Sequence, residues 1–257
     1  MKIVVCIKQV PARDAPLAIA EDKIWIRESD IGFEMNEPDG YALEEALRLK
    51  ESRGGEVVVA SLGPERAKQT IKEALAKGAD RAIHVVDPGF YRLDPLASAR
   101  SLAAVIQKES PDLILTGLQS DDHGFGQTGV LLAERLGLPH STIIMQIEIS
   151  DGKLKLKREL EAGWFQWVEM PLPAVLSIQS GINKPRYATL KGIMAAKKKP
   201  IESVERASLG LPDEPTQTIE RIFVPQKTKH TEFLDGSPKE VAAALIEKLR
   251  HEARVLS

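Results

Sequence analysis

Apolar residues come in short unbroken runs separated by stretches of helical periodicity through the first half of the chain. Ile3-Val4-Val5-Cys6-Ile7 is one such run, as expected of a central parallel strand covered on both faces. After an irregular polar segment, Ala42, Leu43, Ala46 and Leu47 fall on one helical face, with Glu44 and Arg48 as an i,i+4 pair on the other, and Gly54-Gly55 ends the helix. Val57 to Leu62 predicts a second strand. Pro64 opens the next helix, which carries Ala67, Ile71 and Leu75 on one face and stops at Gly78. Ala82 to Val86 predicts a third strand. Asp94-Pro95 is an N-cap followed by proline at the first helical position, ahead of inward Leu102, Val105 and Ile106. Leu113-Ile114-Leu115 is the fourth strand, and residues 130–136 form another helix.

This alternation predicts an α/β fold: a doubly wound parallel sheet, Rossmann-like, with right-handed crossovers. Beyond Pro139 the pattern changes. Runs at 142–149, 153–160, 164–170 and 172–178, joined by Asp151-Gly152 and a turn at Ala162-Gly163, predict an antiparallel extension of the sheet. Residues 181–202 read as a long exposed loop. Residues 208–230, rich in proline, threonine and glutamine, read as a linker. Ser237-Pro238-Lys239-Glu240 is a capping box opening a last amphipathic helix with Val241, Leu245 and Leu249 on one face. The expected division is an α/β domain over 1–207 and a linker with a C-terminal helical arm over 208–257, whose amphipathic helix needs a surface to cover, either its own domain's or a partner's.

In a doubly wound sheet, ligands sit above the carboxyl ends of the strands. Three loops converge there: Lys8 to Val10, Leu62-Gly63, and Gly117-Leu118-Gln119-Ser120-Asp121-Asp122-His123-Gly124-Phe125-Gly126-Gln127-Thr128-Gly129. The last is a strand–glycine-rich loop–helix junction, which aims free backbone N–H groups and a helix's positive end at a ligand, most often phosphate. Residues 124–129 spell G-x-G-x-x-G, but they do not directly follow the first strand of a unit, and no acidic residue ends a following strand at the offset a dinucleotide fingerprint requires. A glycine-rich turn that only relieves backbone strain is the competing structural explanation. Asp121, Asp122 and His123 lack the further ligands a metal needs, so Asp121 and Asp122 read as two solvated loop acids, one of them a candidate helix cap or ribose partner.

Composition narrows the classes. Of 257 residues 43% are hydrophobic and the formal charge is -2, which argues against nucleic acid or an anionic membrane as partner. The single cysteine, Cys6, excludes an internal disulfide and suits a reducing compartment. No apolar run nears the roughly 18 residues of a membrane span, and no signal peptide opens the chain, so the expected location is cytoplasmic. No Ser/His/Asp set, paired-carboxylate motif or Walker lysine is present.

The residues resemble a known family. Met1-Lys2-Ile3-Val4-Val5-Cys6-Ile7-Lys8-Gln9-Val10-Pro11, Asn36 with Ala42 to Lys50, and Gln127-Thr128-Gly129 are similar to segments of the electron transfer flavoprotein beta subunit. Asn183-Lys184-Pro185-Arg186-Tyr187-Ala188-Thr189-Leu190, followed by Lys197-Lys198-Lys199-Pro200-Ile201-Glu202, is the most specific match. The resemblance runs from residue 1 to about residue 211. It implies a heterodimer with an alpha subunit that chiefly holds a redox FAD, and a structural AMP bound by the beta chain. Its AMP contacts would be Cys6 (through backbone), Asn36, Glu37, Pro38, Asp39, Leu62 and Gly117 to Thr128. It further implies a recognition loop over 183–202 that docks acyl-CoA or other dehydrogenases, as in fatty acid oxidation, with electrons passing on to a downstream oxidoreductase. Leu190 would be its apolar anchor, flanked by Tyr187, Ile193 and Met194, with Arg186, Lys191, Lys197, Lys198 and Lys199 as a cationic surround. A bifurcating branch of the family holds a second FAD in place of AMP. A stand-alone ATP- or AMP-binding module is the alternative from outside the family.

Overall fold

A computed structural model describes residues 1–29, 31–212, 215–226 and 231–256. The chain divides into two compact units, Met1–Ile222 and Phe223–Ser257. The first unit begins with β1 (Lys2–Cys6), a small antiparallel pair of β2 (Gln9–Pro11) and β3 (Phe33–Met35), and α1 (Glu37–Arg53). Then come β4 (Glu56–Gly63), α2 (Lys68–Lys77), β5 (Arg81–Val86), α3 (Pro95–Glu109), β6 (Leu113–Gly117) and α4 (Thr128–Leu136). The second half supplies β7 (His140–Ser150), β8 (Lys153–Glu159), β9 (Phe165–Pro171), β10 (Ala174–Ile178), α5 (Leu190–Ala196) and β11 (Ile201–Glu205).

These strands make one nine-stranded sheet in the order β11-β5-β4-β1-β6-β10-β7-β8-β9. From β11 to β7 every pairing is parallel. The alternation of side chains along each strand splits the core in two. Ile3, Val5, Val57, Val59, Leu113 and Leu115 face α1 and α2. Val4, Cys6, Val58, Ala60 and Ile114 face α3 and α4. The chain builds outward from β1 through β4 and β5, then returns to place β6 on the other side of β1. The β1/β6 junction is therefore the switch point, where the two loops diverge and leave a crevice.

The structure departs from sequence expectation in three places. Residues 174–178, expected in the antiparallel extension, run parallel between β6 and β7; the antiparallel part of this sheet is β7-β8-β9. All five residues of β10 are buried, which is what a central strand covered on both faces requires. The expected loop 181–202 contains α5 and runs into β11, which pairs with β5 at the sheet edge. Thr189 caps the start of its helix by accepting from Gly192 N–H, and Pro200 follows the end. Glu44, expected on the solvent side of α1, is buried. It accepts from Arg186 as well as from Arg48, so the pair is part of a packing contact.

The expected linker over 208–230 falls partly on 213–214 and 227–230, outside the described residues. Within the first unit, Thr216 and Gln217 are held by Asp94, the N-cap of α3, through three hydrogen bonds. The second unit contains α6 (Pro238–His251), opened by a capping box between Ser237 and Glu240. Among the described residues no helix is long and apolar enough to cross a membrane.

Candidate nucleotide cleft and exposed loop

The strand ends at the switch point surround a cleft. Cys6 ends β1 and Ile7 and Lys8 follow it, Leu62 is the next-to-last residue of β4, Thr116 and Gly117 end β6, and Leu118, Gln119 and Ser120 follow it. Gly126, Gln127 and Thr128 bring in the start of α4, while Asn36 and Asp39 come from the start of α1. His123 and Phe125 close one side. The loop after β5, not among the three expected to converge, adds Phe90, Leu93 and Pro95 to the wall. The sequence signal for that fourth loop was Asp94-Pro95, which marks a helix starting at the same strand-end level. Of the other residues expected at the site, Glu37, Pro38, Asp121, Asp122 and Gly124 do not line the cleft. Glu37 pairs with Arg13, and Asp122 stands behind the wall on Lys8.

Buried polar side chains hold the loops in place. Asp39 Oδ2 accepts from Lys8 N–H at 2.7 Å and Oδ1 from Gly117 N–H at 3.1 Å, so one carboxyl on α1 joins the ends of β1 and β6. Burial raises this carboxyl to about 7 against the pull of those two donors and Lys8. Gly117 must be glycine here, since a Cβ would lie 2.2 Å from Asp39 Oδ1. Asn36 donates to Gln119 O at 3.0 Å and accepts from Asp121 N–H at 3.0 Å, fixing the turn that follows.

Lys8 organises the rear of the loop. Its Nζ is 2.6 Å from Asp122 Oδ1, 3.1 Å from His123 Nδ1 and 3.4 Å from Ser120 Oγ. Burial opposes the charge on Asp122, but Lys8 outweighs it and holds the carboxyl below its usual range. The expectation of two solvated acids is therefore corrected for Asp122, which is buried because Lys8 lies across it; Asp121 is exposed. Burial first, and Lys8 second, lower His123, so its ring is neutral near pH 7. Its Nε2 is buried and finds no protein partner, while the ring packs between Trp25 and Phe125. Among the described residues no group of His, Cys, Asp and Glu is arranged to hold a metal ion.

The donor set of the cleft suits an adenine nucleotide. α4 starts at Thr128, which lines the cleft, and Gln127 before it makes no side-chain cap bond, so the N–H groups of the first turn are left without a capping side chain. Gly124 and Gly126 both have φ near +65°, which lets the loop fold back over itself before the helix. Leu62, Leu93, Leu102 and Phe90 supply an apolar wall of the kind a purine needs. Cys6 meets this cleft with an inert thiol that burial pushes up to about 12.

A second feature lies on the α1/α2 face. Tyr187 is 90% exposed, Leu190 77%, Met194 56% and Ile193 46%, a cluster of exposed apolar side chains. Lys197 and Lys198 stand beside it at the surface. Two of the expected cations are turned inward. Arg186 forms ion pairs with Glu44 and Glu51, and Lys199 donates to the carbonyls of Leu75 at 2.9 Å and Ala79 at 2.5 Å.

Fold and cleft define a doubly wound α/β protein with a ligand cleft at its topological switch point. The model of the electron transfer flavoprotein domain matches residues 23–209. Curated relatives named electron transfer flavoprotein subunit beta align along the whole chain. That of Methylophilus methylotrophus is 40% identical over 96% of this chain and 97% of its own length. The human protein is 36% identical over 99% of each chain, and a rice protein named as mitochondrial is 36% identical over all of both. The chain belongs to the electron transfer flavoprotein family, as a beta subunit. Its relatives are named as subunits of an electron carrier, which implies an alpha-subunit partner and flavin involvement.

Proposed function

We propose that the chain pairs with an electron transfer flavoprotein alpha subunit to form an FAD-containing carrier, and that it does no chemistry of its own. Its switch-point cleft holds AMP as a structural ligand. The uncapped first turn of α4 at Thr128, in a chain of this family, is the observation that carries the assignment. Gln127, Thr128 and the backbone from Gly126 would meet the phosphate. Leu62, Phe90 and Phe125 would flank the base. The bound flavin supplies the redox chemistry, and this chain's part is to shape one side of its site and present a docking surface.

That surface is the exposed loop with Leu190 as anchor. A small apolar plug beside Lys197 and Lys198 suits brief encounters with dehydrogenases such as those acting on acyl-CoA, before electrons move to a downstream oxidoreductase. Such a carrier would operate in the cytoplasm, and the second unit would pack on the alpha partner. Denaturing the purified heterodimer and separating the released nucleotides tests the cofactor assignment. The expected result is one FAD and one AMP per heterodimer. Two FAD and no AMP would overturn it and identify a bifurcating protein instead.

A further inference from the structure

The exposed loop is held at each end and in the middle by α1 and α2, although its tip is bare. Asn183 Nδ2 donates to Tyr41 O at 3.1 Å and to Glu45 Oε2 at 3.0 Å. Arg186 then forks across two carboxylates of α1. Its backbone N–H and Nε reach Glu44 Oε2 at 3.1 and 2.8 Å, Nη2 reaches Glu44 Oε1 and Glu51 Oε2 at 3.1 Å each, and Nη1 bonds to Glu51. Gly192 is pressed so closely on α2 that a Cβ would lie 2.2 Å from Ala76 O. At the far end, Lys199 is fastened to the carbonyls that close α2.

Glu44 is the pivot. It is buried, it bonds Arg186 through both oxygens, and Arg48 fixes it from the other side at 2.8 Å. A carboxylate withdrawn from solvent and saturated by two guanidinium groups is a stiff support, because its partners lose a strong charge-assisted bond if it moves. Of the four exposed apolar side chains, Tyr187 and Leu190 sit between this support and the Gly192 contact, and Ile193 and Met194 directly follow that contact.

We propose that Glu44 is a positioning residue for partner docking: acting through Arg186, it sets the 187–196 segment in its docking shape before any partner arrives. This builds on the docking role proposed above. A segment ordered in advance does not have to be ordered during the encounter, which favours fast binding by a transient carrier. Arg186 and Lys199 thereby serve as latches, and the surface charge that steers partners falls to Lys191, Lys197 and Lys198.

The test uses the heterodimer with Glu44→Gln, compared with wild type and Leu190→Ala. Backbone amides of 187–196 should exchange with deuterium about tenfold faster in Glu44→Gln, with exchange in β1 and β4 unchanged. With an acyl-CoA dehydrogenase that the wild-type heterodimer oxidises, KM for the dehydrogenase should rise about tenfold while kcat holds. Arg186→Lys should act in the same direction, since an ammonium cannot bridge two carboxylates as the fork does. Unchanged exchange at 187–196 overturns the proposal, as does faster exchange with an unchanged KM while Leu190→Ala raises it. If Leu190→Ala also leaves KM unchanged, the docking role itself falls, and the positioning role with it. Should Glu44→Gln not fold, Glu51→Gln removes half of the fork from an exposed position and must show the same split to a smaller degree.

Discussion

Gly129→Ala probes how closely α4 must approach the sheet for the cleft to work. Gly129 is the second residue of α4 and is buried against β6 and β10. A Cβ built there lies 2.4 Å from Ser177 Oγ and 2.7 Å from Thr116 Oγ1, two hydroxyls already bonded to each other at 3.1 Å. Relieving the shorter contact needs about 1 Å of movement to reach ordinary packing distance. Neither hydroxyl can turn away cheaply inside a buried pair, so the start of the helix must lift. Overpacking of this kind costs about 1–3 kcal/mol, and replacing a helical glycine by alanine returns up to about 1 kcal/mol. A net loss near 1–2 kcal/mol corresponds to a Tm lower by roughly 2–8 °C in a chain of this size. The functional effect should be larger, because lifting the first turn displaces the N–H groups of Thr128 and its neighbours from where the proposed AMP phosphate would sit. Thermal denaturation of the heterodimer and AMP released per FAD measure both effects, with AMP occupancy expected to fall by at least half. Ser177→Ala in the same chain removes the closest contact and should recover much of the loss. A Gly129→Ala protein with unchanged Tm and full AMP would show that close seating of α4 is not what builds the site.

Asp39 gives a pH signature. Its folded carboxyl titrates near 7, well above an unfolded aspartate, so the native state binds the extra proton and this contribution to stability is present at low pH and lost as pH rises through about 7. The wild-type Tm should therefore drop more between pH 5 and pH 8 than that of Asp39→Asn, and equal slopes would refute the assignment. Asp94→Ala should lower stability by about 2–3 kcal/mol, because it removes the cap on Ala97 and strands the donors of Thr216 and Gln217; a change under about 0.5 kcal/mol in denaturant unfolding would contradict it. Cys6 should resist iodoacetamide at pH 8 in the native protein and react fully once unfolded, as a buried thiol raised to about 12 requires. Modification of the native chain would mean that the cleft floor opens.

Much of this protein is legible in its sequence for simple reasons. Unbroken β-branched runs, glycine stops and proline-led helix starts identify the parallel core, because strands covered on both faces tolerate nothing else. The residues of 117–129 point to a phosphate-type junction by the same kind of local chemistry. What local pattern could not settle were partners distant in the chain. Residues 174–178 read as part of the antiparallel extension, and only pairing with β6 and β7 decided for a parallel strand in the centre. Glu44 and Arg48 have the spacing of a surface pair, yet Arg186, far along the chain, turns the carboxylate into a buried support. Asp122 and Lys199 look like solvent-facing charges until the fold sets Lys8 against the first and carbonyl groups against the second. A side chain's type and neighbours in sequence determine what it can bond to; which donors and acceptors reach it is decided by tertiary packing, and for buried charges that choice sets the role.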